Sequence, residues 1–230
     1  LPDRDHLIAV DVPWSPSYRL VHSRFPPVSL FDACESEEEL AIVAEIQGLT
    51  KDRIQQELGR IHLVPDADRL FGHGTTPVMA AFCYISPVPT RFTDGSFGVY
   101  YAANSLDCAV AEVSHHLVRF MAATQEPRTL VTLRCYTAAI AQPMVDLRAE
   151  DWAHAPNAYG DTQALAARLR QQCAWGLLYK SVRHPGSECV AVLRPPAVKT
   201  PVVQHTHVHL VWDGAQVASW YRVGALKRLS

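Results

Sequence analysis

Residues 91–116 read RFTDGSFGVYYAANSLDCAVAEVSHH, and this stretch decides the fold. A glycine-containing turn, TDGSFG, leads into an apolar run from Gly98 to Ala102 that reads as a strand. Asn104 or Ser105 then caps a helix, with Asp107 in its first turn. Leu106, Ala109, Val110, Val113, Leu117, Phe120 and Met121 recur at helical spacing and form its apolar stripe, and Pro127 helps end it. A strand running straight into an amphipathic helix predicts a mixed α/β domain. The same stretch carries chemistry. Arg91 stands before the turn, Tyr100 and Tyr101 point to opposite strand faces, and Glu112 has only Cys108, His115 and His116 as its i−4, i+3 and i+4 neighbours.

Outward from there, residues 1–33 are proline-rich, with a short strand near Tyr18 to Val21. Residues 36–58 read as one kinked helix or a helical hairpin, because Ser36 and Glu39 have capping-box spacing and Ile42, Val43, Ile46, Leu49, Ile54 and Leu58 recur at helical spacing. IHLV at 61–64 is a short strand or turn entry, and VMAAFCYI at 78–85 fits a strand or a short helix. Beyond the central helix, a strand begins at Thr129 and residues 141–160 read as a long connection. A helix is expected over Thr162 to Tyr179 with Asp161 as its cap, then a strand within SVRHPGSECVAVLRPPAV. Segments 208–214 and 216–223 form a hairpin around Asp213-Gly214. The fold class expected is α+β: a single mixed α/β domain over 1–230, with 36–58 a helical insertion or extension near the N-terminus.

The chain of 230 residues is long enough for one substantial core, and 48% of it is hydrophobic. A net charge of −2 gives no broad polyanion-binding face, so direct nucleic-acid binding is not expected. No apolar run reaches the roughly eighteen residues of a membrane span, and LPDRDHLIAVDVPW lacks the basic-then-apolar order of a leader. Position 1 is Leu, so an upstream extension stays open. Cysteines at 34, 83, 108, 135, 173 and 189 form no CxxC pair; they read as reduced core thiols of a cytoplasmic protein.

Arginine suits a bidentate contact to phosphate, so Arg91 is a candidate anion clamp. Glu112, without a fixed cationic neighbour on its helix, is a candidate for stabilising positive charge or accepting a proton. Either Tyr100 or Tyr101 enters the pocket while the other packs. In YKSVR at 179–183, Ser181 offers a hydrogen bond to phosphate or ribose and Arg183 adds charge. There is no GxSxG elbow, no P-loop and no GxGxxG. His115 and His116 are adjacent and do not share a helix face, and His205, His207 and His209 alternate without a supporting acid or cysteine pattern, so no metal is expected.

Taken as a set, YRLVHSRF at 18–25, the 91–116 stretch and WGLLYKSVRHPGSECVAVLRP at 175–195 resemble the RES domain family, the toxins of RES–Xre toxin–antitoxin pairs. VHLVWDG is similar to that family's closing strand. The resemblance implies a fold akin to ADP-ribosyltransferases, NAD+ as substrate, and cleavage of the nicotinamide–ribose bond by an NAD+ phosphorylase or NAD+ glycohydrolase, with inorganic phosphate or water as acceptor. It implies Arg91, Glu112 and Ser181 as the Arg, Glu and Ser of the family's signature, Tyr101 as its tyrosine and Arg19 as its upstream arginine, with Arg19, Arg91, Tyr101 and Ser181 around NAD+. It implies an Xre-like antitoxin as partner; the 36–58 segment would serve antitoxin docking or a homo-oligomer. Two features depart from the family pattern: the stretch between Arg19 and Arg91 is long, and Lys180-Ser181 replaces a proline–serine pair. Transfer of ADP-ribose to a protein and a non-enzymatic protein-binding module are the competing readings.

Overall fold

A computed structural model describes residues 7–24, 30–46, 59–156 and 158–224. The described strands are β1 (Ala9–Val10), β2 (Ser17–His22), β3 (Tyr100–Ala103), β4 (Thr129–Ala138), β5 (Met144–Asp146), β6 (Gly176–Lys180), β7 (Glu188–Val192), β8 (Val203–Trp212) and β9 (Val217–Arg222). They form one sheet in the order β1-β5-β6-β7-β3-β2-β4-β8-β9. β5 and β6 run parallel, and the other neighbours are antiparallel. The described helices are α1 (Leu30–Ala33), α2 (Glu37–Ile46), α3 (Thr76–Cys83), α4 (Leu106–Thr124) and α5 (Gly160–Gln171).

The middle strands are covered on both faces, which explains their unbroken apolar sequences. On β3 and β7, Ala103, Cys189 and Ala191 join the core beneath α4 and α5. Tyr100, Ala102, Val190 and Val192 join the opposite core with α1 and α3. Gly98 lets α3 approach the entry to β3, since a Cβ there would lie 2.4 Å from the Ala81 carbonyl oxygen. Gly95 turns the chain at φ +98, a conformation that favours glycine.

The joint between β3 and β2 is the feature that makes a site. Their register holds a single pair, Tyr18 with Ala103, whereas β2 pairs with β4 along its whole length. The sheet therefore opens between its two halves, and α4 lies across the opening against both strands.

Several sequence expectations need revision. The helix expected over 162–179 ends at Gln171; Cys173 takes a positive φ of 59, and Gly176–Lys180 is strand β6. Its apolar residues are buried on both sides as a central strand, a pattern that a short run cannot distinguish from a buried helix turn. Asp161 lies in the first turn of α5, and Tyr159 occupies the cap position without a side-chain cap bond. The connection 141–160 contains β5 and a 3-10 turn, Asp151–His154. The segment at 61–63 is a 3-10 turn, and 76–83 is a helix. Ser105, not Asn104, caps α4, its hydroxyl accepting from the Cys108 amide at 3.2 Å. Phe120, placed in the apolar stripe, is 44% exposed. In the 36–58 segment, α2 begins at the expected cap, with the Glu39 amide donating to Ser36 Oγ at 3.1 Å. Glu39 in turn accepts from the Glu35 amide at 2.7 Å. Residues 47–58 lie outside the described ones. All six cysteines are free, and only Cys173 is exposed.

Candidate active site

A cavity of about 230 Å³ fills the opening of the sheet. Its walls include Arg19 from β2, Tyr101 from β3, Glu112, His115 and His116 from α4, Arg91, Tyr159, Tyr179, Arg183 and Cys189. Strand alternation decides between the two tyrosines: Tyr101 lines the cavity, while Tyr100 is fully buried in the opposite core.

Along β2, Tyr18 and Leu20 join the core beneath α4, and the Arg19 side chain alternates to the Tyr100 side of the opening. Its Nη1 donates to the Tyr101 carbonyl at 3.1 Å, beyond the point where β2 and β3 stop pairing. Its guanidinium lies 4.6 Å from the centre of the Tyr100 ring, and its Nε is buried without a hydrogen-bond partner. Burial lowers its pKa, opposed only by tyrosines, and no carboxylate among the described residues pairs with it. A desolvated guanidinium without a counter-charge leaves donor capacity of the kind that an anion can fill.

Arg91 is held differently. Its Nη1 donates to the carbonyls of Ala153 at 2.7 Å and Ala155 at 3.1 Å, and its guanidinium faces the Tyr159 ring at 5.0 Å. The Thr162 hydroxyl and the Gln163 amide, both on α5, bind the carbonyls of Arg91 and Thr90. Arg91 thus fastens the 151–155 turn to the cleft, with one end of its fork already used.

Tyr101 Oη lies 2.7 Å from Thr90 Oγ1 and accepts from the Phe92 amide at 3.2 Å. Burial pushes its pKa up to about 12, so the phenol stays protonated. With its hydroxyl engaged, the ring is the surface it offers.

Glu112 accepts a hydrogen bond from Ser181 Oγ at 2.6 Å. Ser181 itself is buried, and its oxygen accepts from the amides of Arg183 at 3.2 Å and His184 at 2.9 Å. Its single proton is therefore committed to Glu112, so in this geometry Ser181 orients the carboxylate instead of donating to phosphate or ribose. Arg183 Nη2 donates to His115 Nε2 at 3.0 Å and to the Pro156 carbonyl at 2.8 Å. Burial and then Arg183 lower the pKa of His115, which fits a neutral imidazole accepting that bond. Burial, then His115, lowers His116.

Arg19, Arg91, Tyr101 and Glu112 thus come together from distant parts of the chain, with Ser181 behind Glu112. Sequence reasoning missed Tyr159 and Tyr179 as cavity walls. The sequence pattern puts Tyr179 at the end of a helix and Tyr159 in a connection; an aromatic next to an Asp- and Ala-rich run is the one available signal. Among the described residues no group of three His, Cys, Asp or Glu side chains is placed to hold a metal ion. His205 falls in a bulge of the β4–β8 ladder, and His209 pairs with Tyr221.

A split mixed sheet thus places a helix-borne carboxylate and a buried arginine on one cavity, in a mixed α/β RES-domain fold akin to ADP-ribosyltransferase-like folds. The chain belongs to the RES domain family, whose profile matches residues 66–213. That span includes Arg91, Tyr101, Glu112 and Ser181 and leaves Arg19 outside. The chain is 28% identical over 212 residues to "Uncharacterized protein y4oC" of Sinorhizobium fredii (strain NBRC 101917 / NGR234), covering 89% of this chain and 86% of that one. Among solved structures, it matches one from the M. tuberculosis MbcT–MbcA toxin–antitoxin complex with a TM-score of 0.48 and 11% identity, covering 90% of this chain and 88% of that one. No described helix is long and apolar enough to cross a membrane.

Proposed function

We propose that this chain is a toxin that degrades NAD+ by cleaving the nicotinamide–ribose bond and passing the ADP-ribosyl group to water or inorganic phosphate. Membership of the RES domain family supports NAD+ as the substrate. The observation that carries the reading is the pairing, across one cavity, of an uncompensated buried guanidinium at Arg19 with an oriented carboxylate at Glu112.

The cavity is smaller than the roughly 300–1,000 Å³ of pockets that enclose whole ligands. It suits the nicotinamide–ribose end, with the remainder of the dinucleotide reaching outward. Nicotinamide carries positive charge in NAD+ and leaves neutral, so the charge moves to the ribose as the bond breaks. Glu112, held by Ser181, stabilises that developing charge. Tyr101 presents its ring to the ribose end, and Arg19 holds the diphosphate, with the unengaged edge of Arg91 beside it. Water or phosphate then attacks the exposed sugar carbon. An Xre-like protein that covers this cleft would be the antitoxin, and cytoplasmic NAD+ its target. Neither a metal nor a second cofactor takes part in this scheme.

The test is incubation of the purified chain with NAD+ labelled in the adenosine, with and without inorganic phosphate. Free ADP-ribose, or its phosphorylated form when phosphate is present, is expected. Label retained on a protein would replace this reading with protein ADP-ribosylation, and intact NAD+ would refute it.

A further inference from the structure

Two cysteines stand behind the cleft wall. Cys108 lies in the first turn of α4, one turn before Glu112 and on the same helix face. Cys189, on β7, lines the cavity. Their sulfur atoms are 3.6 Å apart. Cys189 pairs with Tyr179 in the β6–β7 ladder, and just beyond it the Ser181 amide donates to the Ser187 carbonyl at 2.8 Å, so the pair abuts the loop that holds Glu112. The thiols differ in character: their mutual contact lowers the pKa of Cys108 and raises that of Cys189, so the first proton leaves Cys108. Elsewhere burial pushes Cys83 up to about 12 and Cys135 up to about 11, which keeps those core thiols inert.

The geometry points to a reversible modification site in which hydrogen peroxide entering the cleft closes Cys108 and Cys189 into a disulfide and thereby switches the site off. Cys189, the thiol on the cavity wall, passes its proton to the wholly buried Cys108 thiolate and attacks one peroxide oxygen; the sulfur–oxygen bond forms, the oxygen–oxygen bond breaks, and the departing hydroxide takes that proton from Cys108 to become water. The Cys108 thiolate then attacks the sulfenic sulfur of Cys189; the sulfur–sulfur bond forms, the sulfur–oxygen bond breaks, and the second hydroxide leaves as water with the proton that Cys108 first released. The peroxide is reduced to two waters and the two thiols are oxidised. Closing to the roughly 2.05 Å of a disulfide draws the two sulfurs together by about 1.5 Å. That movement falls on the first turn of α4, directly below Glu112 and beside Ser181, where a displacement of about 1 Å is enough to cost roughly 100-fold in rate.

The loss of activity rests on the function proposed above; formation of the bond does not. The experiment uses the full chain carrying Cys173→Ser, which removes the exposed thiol and with it intermolecular crosslinks. The protein is treated with hydrogen peroxide, alkylated, digested and mapped by mass spectrometry. The peptides carrying Cys108 and Cys189 should appear joined, with two hydrogens lost. NAD+ consumption should fall at least 10-fold and return on reduction with dithiothreitol. Cys108→Ala and Cys189→Ala, each compared with its own untreated rate, should be insensitive to peroxide. Hydrogen exchange of amides 105–112 should change on oxidation, a readout that needs no catalysis. Separately alkylated peptides after peroxide would overturn the site. A joined pair with unchanged NAD+ consumption and unchanged exchange would overturn the switch. If the reduced protein leaves NAD+ intact, the proposed function fails, while the peptide map and the exchange data still decide this inference.

Discussion

The two sides of the split sheet hold their polar groups in opposite ways. On the side of β3, β6 and β7, the groups at the cleft are secured before any ligand arrives: Glu112 by Ser181, Tyr101 by Thr90 and the Phe92 amide, and Arg91 by two carbonyls. On the side of β2, Arg19 has one carbonyl, one aromatic face and an unsatisfied Nε. The difference separates preorganisation from reception. The fixed side can stabilise a charge that appears during reaction without reorganising. The other side keeps one guanidinium donor unpaired, and in the proposed function an anion would be its partner.

The sharpest way to break this comparison is Glu112→Gln. The amide oxygen still accepts from Ser181, so the variant should unfold at nearly the wild-type temperature. NAD+ consumption should fall by about 100- to 1,000-fold, the range for losing one preorganised electrostatic contact. Wild-type turnover in a folded variant would remove Glu112 from the chemistry.

The two arginines offer a paired test. Arg19→Met removes a desolvated charge without a counter-charge, so stability should hold or rise, while KM for NAD+ rises at least 10-fold. Arg91→Met leaves the Ala153 and Ala155 carbonyls without a donor and should cost about 1–3 kcal/mol in chemical denaturation. If Arg19→Met destabilises more than Arg91→Met, receptor and fastener have been assigned the wrong way round.

Tyr101 tests which part of a fixed group matters. Because its hydroxyl is engaged by Thr90 and Phe92, Tyr101→Phe should cost about 1 kcal/mol of stability with a small change in kcat. Tyr101→Ala should lose most NAD+ consumption, since it removes the ring. Equal losses in both variants would shift the role to the hydroxyl.

Much of the fixed side was legible in the sequence because its signals are local. The Ser105 cap and the apolar spacing of α4 place Glu112, and strand alternation separates Tyr100 from Tyr101. Ser181 is a candidate from its own hydroxyl chemistry and Arg19 only through family likeness, but the partners of neither are legible. The Ser181–Glu112 bond spans 69 residues and the Arg19–Tyr101 bond 82, and no local periodicity encodes such pairings. The strand at 176–180 was misread because it is buried on both faces and shows no alternation. The 151–155 turn was passed over because its function lies in backbone carbonyls, which any sequence supplies.

That turn carries the smallest expected effect. His154 Nε2 accepts from the Lys180 amide at 3.0 Å, which fixes Nδ1 as the protonated nitrogen facing the Glu150 carbonyl at 2.8 Å. Burial lowers its pKa from 6.5, only partly opposed by that carbonyl. Below pH 6.5 the unfolded chain therefore takes up a proton that the folded chain resists, so stability is full above that pH and declines as pH falls toward the folded value. Protonation at Nε2 also breaks the bond to Lys180 and loosens the turn whose carbonyls hold Arg91. Tm measured from pH 8 to pH 5 should fall below pH 6.5, and His154→Asn should flatten part of that slope. The histidines at 22, 115 and 116, also lowered by burial, should leave the remainder. A slope unchanged in the variant would show that the fastened side of the cleft is insensitive to this imidazole and that the pH dependence arises on α4 and β2 alone.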